Sequence, residues 1–289
     1  MFQRWDITDP AHPAPLGRLP ISDNTQEAAL SPDGRTLAAV PASGQAISTI
    51  QLWNGTGPGR PKPAGHPMTG SSQIFSLMFS PDGQTLAAGE NDGEGNGDVS
   101  FWDVADSTDP QRLGVTLTGS GGTIQAISGS DIQSMAFSPD GRVLATLTDD
   151  GAVQLWDTAD LRKPRGISKL PEITTGLVSS IAFSPDGTLA TGGDDGTIRL
   201  WDLADLARPQ PIGQPLDDGS TQITSIIYSP DDTLAAGNGA GILLWNLNAG
   251  NAIQRICTTT NGSLTAQQWH QYIPQLPYQP PCTTKQITA

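Results

Sequence analysis

The chain has 289 residues, 36% of them apolar, which is enough for a full hydrophobic core, and a formal net charge of −14. That acidic balance argues against a nucleic-acid or anionic-membrane partner, since both require a basic face. No apolar run reaches the ~18 residues of a membrane span, and the opening MFQRWDITDP lacks the basic start and apolar run of a secretion signal, so a cytoplasmic location is expected.

In chain order, short β-branched runs alternate with Gly/Pro turns, the pattern of an all-β domain. Residues 1–23 hold Arg4-Trp5-Asp6, read as the end of a third strand, and Pro15-Leu16-Gly17, read as a fourth; the two strands that should come first are absent. Either the stretch Leu16–Leu19 supplies an outer strand to the last unit, leaving Trp5 overhanging, or Met1 is a truncation point. Residues 24–70 predict strands near Glu27–Leu30, Thr36–Val40 and Ile47–Trp53, with a loose second turn over Pro41–Gln45. In residues 71–119 the second turn is expanded into an acidic, glycine-rich loop, Asn91–Asp98. Residues 120–170 carry an insertion before their first strand, Gly119–Ser130, rich in Gly, Ser and Thr.

Residues 171–219 carry the clearest unit, Leu177–Asp205. Its strands LVSSIAF, TLATGG and TIRLWD are joined by SPDG and DDG turns. In Ser184–Gly187, proline presets φ, aspartate suits the second central position and glycine takes φ > 0; Asp195-Gly196 closes a tight hairpin. Residues 220–250 repeat the unit between Gln222 and Leu247, with Asp232 where glycine belongs. Aspartate tolerates positive φ at a modest cost.

Two markers share one period. SPDG starts at Ser31, Ser80, Ser138 and Ser184 and reappears as SPDD at Ser229, while Trp5, Trp53, Trp102, Trp156, Trp201 and Trp245 close successive units. Spacings of 44–58 residues suit a four-stranded unit, and a meander that cannot bury both faces alone needs neighbours of its own kind. Between the tryptophan and the next strand a second signature recurs, in which Asp9, Asp106, Asp160 and Asp205 are placed to bond the backbone two residues on.

The Phe-Ser-Pro-Asp-Gly turns, the Asp-Gly turns and the Leu/Phe-Trp-Asp endings resemble the WD-repeat (WD40) β-propeller family. The WDxxD signature resembles the C-terminal WD arrays of actinobacterial signalling proteins. The resemblance implies an all-β propeller over residues 1–250. It would have a partial blade at 1–23 and five four-stranded antiparallel blades at about 24–70, 71–119, 120–170, 171–219 and 220–250. Many WD repeats place a Gly-His pair before the first strand, which bonds toward the tryptophan. Here those positions read Gly70-Ser71, Gly119-Ser120, Thr175-Gly176 and Gly219-Ser220, and none of His12, His66 and His270 falls there. Each tryptophan is therefore expected to rely more on packing.

Residues 251–289 change character. Asn251…Gln254 and Thr265…Gln268 carry the capping-box pattern, with Leu264 and Trp269 at staple positions, so two short helices are expected. The tail resembles the helical cap that ends such arrays, which would cover the last blade. Cys257 and Cys282, the only cysteines, both lie here. A disulfide would pin the cap by roughly 3 kcal/mol and fit an extracytoplasmic protein; two reduced thiols fit a cytoplasmic one.

The search for chemistry is mostly negative. No Ser–His–Asp arrangement or Cys/His zinc spacing stands out, and no catalytic residue, cofactor or metal is expected. Asp186, Asp195 and Asp202 belong to repeat turns. Asn54 and Asn246 at the WD aspartate position support a hydrogen-bonding role there, since an amide cannot transfer a proton. The loop Asp92, Glu94, Asn96 and Asp98 alternates oxygen ligands before glycine as calcium loops do, but it lacks the usual third-position and twelfth-position residues, and a solvated hairpin loop is the plainer reading. The basic cluster Arg162, Lys163, Arg165 and Lys169 reads as a charged outer edge that discourages strand pairing.

The resemblance therefore implies a protein-interaction scaffold, freestanding or the sensor end of a longer bacterial signalling chain. Partners would be gripped at loops before first strands and between second and third strands. The candidate surface is Ser71, Gln73, Asn91, Asp92, Glu94, Asp149, Asp150, Asp194, Asp195, Asp217 and Asp218, with the Gly119–Ser130 insertion. Its acidity predicts a partner with a basic or mixed face. A ligand- or calcium-sensing module is the alternative. A propeller enzyme would need polar groups on the inner strands, and LMFS, MAFS, IAFS and IIYS offer almost none.

Overall fold

The computed structural model describes residues 3–6, 12, 14–18, 25–41, 47–54, 62–70, 72–91, 97–118, 131–171, 176–217 and 222–247, and these form strands and turns with no helix. Each SPDG turn joins two strands by one hydrogen-bond set. In the first, the Ser31 hydroxyl donates to Asp33 Oδ1 at 2.6 Å and accepts from the Thr36 amide at 2.9 Å, and the Gly34 amide donates to the Ser31 carbonyl at 2.8 Å. Ser80, Ser138, Ser184 and Ser229 repeat the same bonds with Asp82, Asp140, Asp186 and Asp231. Asp232 stands in the glycine position of the fifth turn at φ 63°, the one non-glycine positive φ among the described residues.

The strands assemble as consecutive antiparallel meanders. β1 (Gln3–Asp6) and β2 (Ala14–Arg18) form a two-stranded sheet. Blade one comprises β3 (Thr25–Leu30), β4 (Thr36–Pro41), β5 (Thr49–Asn54) and β6 (Lys62–Thr69). Blade two comprises β7 (Ile74–Phe79), β8 (Thr85–Asn91), β9 (Gly97–Asp103) and β10 (Gln111–Thr118). Blade three comprises β11 (Ile132–Phe137), β12 (Val143–Thr148), β13 (Val153–Asp157) and β14 (Arg165–Lys169). Blade four comprises β15 (Val178–Phe183), β16 (Leu189–Gly193), β17 (Thr197–Asp202) and β18 (Gln210–Asp217). Blade five has, among the described residues, β19 (Ile223–Tyr228), β20 (Thr233–Asn238) and β21 (Gly241–Asn246), where four strands are expected. Of the two alternatives for the opening residues, the loan of an outer strand from Leu16–Leu19 to the last blade is not what the described residues form: β2 pairs with β1, Trp5 opposite Pro15 and Asp6 opposite Ala14. The two helices expected in residues 251–289, with Cys257 and Cys282, lie outside the described residues.

The core lies between blades. Ile50 and Leu52 of β5 meet Ile74, Leu77 and Phe79 of β7; Val99 and Phe101 of β9 meet Ile132, Met135 and Phe137 of β11. Val153 and Leu155 meet Ile181, and Ile198 meets Ile223 and Ile226. A third-strand pair of apolar residues thus packs on the first strand of the next blade, at first-strand positions one, four and six. At the closest approach there is no space for a side chain: a Cβ on Gly89 or Gly192 would lie 2.6 Å from the Cγ2 of Ile132 or Ile223. Blade five carries the same design on β21, which packs on no further blade among the described residues. Ile242 and Leu244 are 76% and 69% exposed, Ile227 is exposed beside them, and a Cβ on Gly237 would meet only atoms of its own blade.

The tryptophans divide. Trp156 and Trp201 donate from Nε1 to the Thr146 and Thr191 hydroxyls at 3.0 and 3.1 Å. Trp53 and Trp102 have buried Nε1 groups without a hydrogen-bond partner, because Ala39 and Ala88 occupy the threonine position. The expectation that every tryptophan relies on packing is therefore corrected for blades three and four.

Candidate protein-interaction faces

Antiparallel meanders sort their connections to two ends. One end gathers the second turns and the links between blades, where the predicted surface lies. Gln73, at the start of blade two, accepts from the Asn91 amide at 3.1 Å, and the Asn91 side chain donates to Asp131 Oδ1 of blade three. The Asp149 amide donates to the Asp131 carbonyl at 3.0 Å, and the Asp194 amide to the Leu177 carbonyl at 2.9 Å. Backbone pairing thus brings Gln73 beside Asn91 and sets Asp149 and Asp194 at equivalent corners of successive blades. Asp149, Asp150, Asp194 and Asp217 are exposed, and Asp98 is half-buried on β9.

Two predicted carboxylates work within their own turns. Asp150 Oδ1 accepts from the Thr148 hydroxyl and the Ala152 amide. Asp195 Oδ1 accepts from Thr197, and its Oδ2 pairs with Arg199 at 3.3 Å, with the two side chains only 13% and 12% exposed. Burial works to raise the Asp195 pKa, but the Thr197 bonds and the Arg199 charge outweigh it, and the carboxyl lies below its usual range. Ser71, Asp92, Glu94, Asn96, Asp218 and the 119–130 insertion lie outside the described residues, so the calcium-loop reading gains no geometry. Among the described residues no group of three His, Cys, Asp or Glu side chains is placed to hold a metal.

The other end gathers the SPDG turns and the WD loops, and here the structure shows grooves that were not anticipated. One of 640 Å³ runs between the turns of blades three and four, with Val143, Phe183, Leu203 and Leu206 among its walls and Asp140, Arg142, Asp186 and Asp202 at its rim. A second of 510 Å³ lies between blades two and three and shares Pro139, Asp140 and Arg142 with the first. Asp140 and Asp186 sit below the usual carboxylate range chiefly through the Ser138 and Ser184 hydroxyls. The loop aspartates act as expected: Asp106, Asp160 and Asp205 accept from the amides of Thr108, Arg162 and Ala207. Between blades four and five, the Tyr228 hydroxyl is buried with no hydrogen-bond partner, and its pKa is pushed up by burial and by the nearby Asp186 and Asp232 charges. The signal for this end was present in the repeated SPDG and WDxxD strings. Read one by one they are turn formers; only their lateral stacking makes grooves. Of the basic cluster, Arg162 and Lys163 are exposed in the loop before β14 and Arg165 and Lys169 are exposed on β14, Arg165 bridging Asp157 at 3.2 Å.

Successive antiparallel blades, four of them four-stranded among the described residues, each with tryptophan next to last in its third strand and the first four packed face to face on their successors, define a β-propeller of WD type. The family model for the WD domain, G-beta repeat, matches residues 62–103, 116–157 and 167–202, so these three stretches of the chain are similar to WD repeats. The first matched stretch begins at the fourth strand of one blade and ends at the third strand of the next, so each repeat in sequence straddles a blade boundary and ties neighbours together. No curated protein matches the chain. WD40 repeats commonly mediate protein–protein interaction and are generally non-catalytic scaffolds.

Proposed function

We propose that this chain is a non-catalytic protein-interaction module that binds partners at the end carrying its second turns, and that the partner face is basic or mixed. The observation that carries the reading is the placement of Asp149, Asp150 and Asp194 as exposed carboxylates on hydrogen-bonded corners of adjacent, mutually packed blades. Groups held in fixed positions lose little freedom on binding, which lowers the cost of association. Charges of one sign steer and select an opposite face, with an effect that salt weakens. The Oδ1 atoms of the SPDG aspartates are occupied by turn bonds, which supports a structural role for them in place of acid–base work. The test is simultaneous charge reversal at Asp92, Glu94, Asp150 and Asp194, measured against a partner captured with the wild-type chain. A loss of about tenfold or more in affinity, together with a flatter salt dependence, is expected. Unchanged affinity would sink the reading.

A further inference from the structure

The first turn of a blade comes in two lengths. In blades one to three SPDG is followed by Arg35-Thr36, Gln84-Thr85 or Arg142-Val143, and the serine hydroxyl accepts from the amide five residues on. In blades four and five one residue is missing. Gly187 and Asp232 lead straight into Thr188 and Thr233, and the hydroxyls of Ser184 and Ser229 accept from the amide four residues on. The residue lost is the exposed polar one, which the longer turns fill with Arg35, Gln84 or Arg142.

The shorter turn changes how neighbouring turns stack. A Cβ on Gly83 would lie 3.5 Å from the Pro32 ring, and one on Gly141 would lie 3.6 Å from the Pro81 ring. Each of these longer turns thus rests on the proline of the blade before it. At Gly187 a Cβ would meet nothing within 4 Å, so Pro139 stands clear of the shorter turn. The aromatic residue just before the turn follows the same division. Phe79 and Phe137 are 5% and 8% exposed, whereas Phe183 is only half-buried. With Val143, Leu203 and Leu206, Phe183 walls the 640 Å³ groove between blades three and four.

The rim of that groove is acidic. Asp140, Asp186 and Asp202 line it against a single guanidinium, that of Arg142. Oδ1 of each carboxylate accepts from its own turn: from the Arg142 amide, the Thr188 amide and the Ala204 amide in that order. Oδ2 accepts from no described residue, so each carboxylate is held in place with one oxygen open to an outside donor. The 510 Å³ groove between blades two and three shares Pro139, Asp140 and Arg142 with this one, and the two make a continuous track along the turns. A track suits an extended chain better than a compact ligand.

We propose that this groove is a second interaction surface, at the opposite end from the acidic corners of the second turns, and that it docks an extended peptide segment with a bulky apolar side chain beside a lysine or arginine. The apolar side chain fills the space between Phe183, Val143, Leu203 and Leu206, and the cation meets Oδ2 of Asp140 or Asp186. Acceptors already fixed by their turns lower the ordering cost of that contact. Binding here is independent of binding at the second turns.

The test is a titration of the full chain, followed by methyl and amide NMR, with two short blocked peptides: one alternating leucine and lysine, the other alternating serine and lysine. The leucine–lysine peptide should shift the methyls of Val143, Leu203 and Leu206 saturably. It should bind about tenfold or more tighter than the serine–lysine peptide, as burial of one large apolar side chain requires. Two variants should each weaken it about tenfold while leaving the amide signals of Asp149 and Asp194 unmoved. One is an arginine inserted after Gly187, which gives blade four the longer turn; the other is Ala204→Trp, which fills the groove from an exposed position on its lining. Equal binding of the two peptides, shifts confined to Asp149, Asp150 and Asp194, or wild-type affinity in Ala204→Trp overturns the proposal. A concentration-dependent shift of the same methyls without peptide also overturns it, because the groove would then belong to a second copy of the chain.

Discussion

Blades four and five share the Ser-Pro-Asp of their first turn, their tryptophan and their strand register, and they differ in what packs on the face of the third strand. In blade four Ile198 is fully buried against Ile223 and Ile226 of the next blade. Its counterpart Ile242 is 76% exposed. The same motif therefore contributes very different stability depending on its neighbour. A blade is a half-finished core, and each repeat draws most of its hydrophobic stabilisation from the face it shares.

The largest expected contrast follows directly. Ile198→Ala should cost about 3 kcal/mol, by lost transfer energy and a cavity between blades. Ile242→Ala should cost less than about 0.5 kcal/mol, as at an exposed site. Urea unfolding midpoints at a constant slope would measure both. Equal losses would break the contrast by showing that something covers Ile242.

Next in size is the tryptophan bond. Thr191→Ala removes the acceptor for Trp201 Nε1 and should cost about 1–2 kcal/mol. Blade five has Ala236 at that position, so Ala236→Thr offers Trp245 the bond that blade four has; a gain of about 0.5 kcal/mol is expected, read as a rise in thermal midpoint.

The turn comes third. Gly187 sits at φ 92° in blade four, while Asp232 adopts φ 63° at the equivalent place. Asp232→Gly relieves the left-handed strain and should stabilise by about 0.5–1 kcal/mol, whereas Gly187→Asp should destabilise by a similar amount. Calorimetry on both variants would show opposite shifts.

The smallest effect is one the two blades share. The Ser184 and Ser229 hydroxyls hold Asp186 and Asp231 below the ordinary carboxylate value of 3.8. A group whose folded pKa is depressed contributes stability that is present above the unfolded value and lost as pH falls through the folded one. Stability should decline as pH drops below 3.8, and Ser184→Ala or Ser229→Ala should each flatten that acid limb slightly. A limb unchanged by either variant would mean that the turns do not set it.

Much of the fold was legible because its markers are local. SPDG and Trp repeat at fixed offsets, a turn's chemistry depends on four consecutive residues, and Asp232 could be read as a positive-φ site from its place in the motif. Features that depend on pairing were harder to see. Thr146 and Thr191 lie ten residues before their tryptophans, a visible spacing, but only the register of β12 with β13 and of β16 with β17 makes the hydroxyls face the indoles. The grooves beside Asp140 and Asp186 require adjacent blades to stack, and β2 could have served either β1 or the last blade until the register Asp6 opposite Ala14 decided it. Of the proposed surface, Gln73, Asn91, Asp149 and Asp194 fall together because second turns share one end, whereas the commitment of Asp195 to Arg199 needed coordinates.

The most direct test of an array stabilised face to face is methyl NMR with a soluble paramagnetic probe. The account predicts strong broadening of the Ile227 and Ile242 methyls and little change at Ile198, Ile223 and Ile226. Equal protection at Ile242 and Ile198 would contradict it, since blade five would then have a covered face like any other.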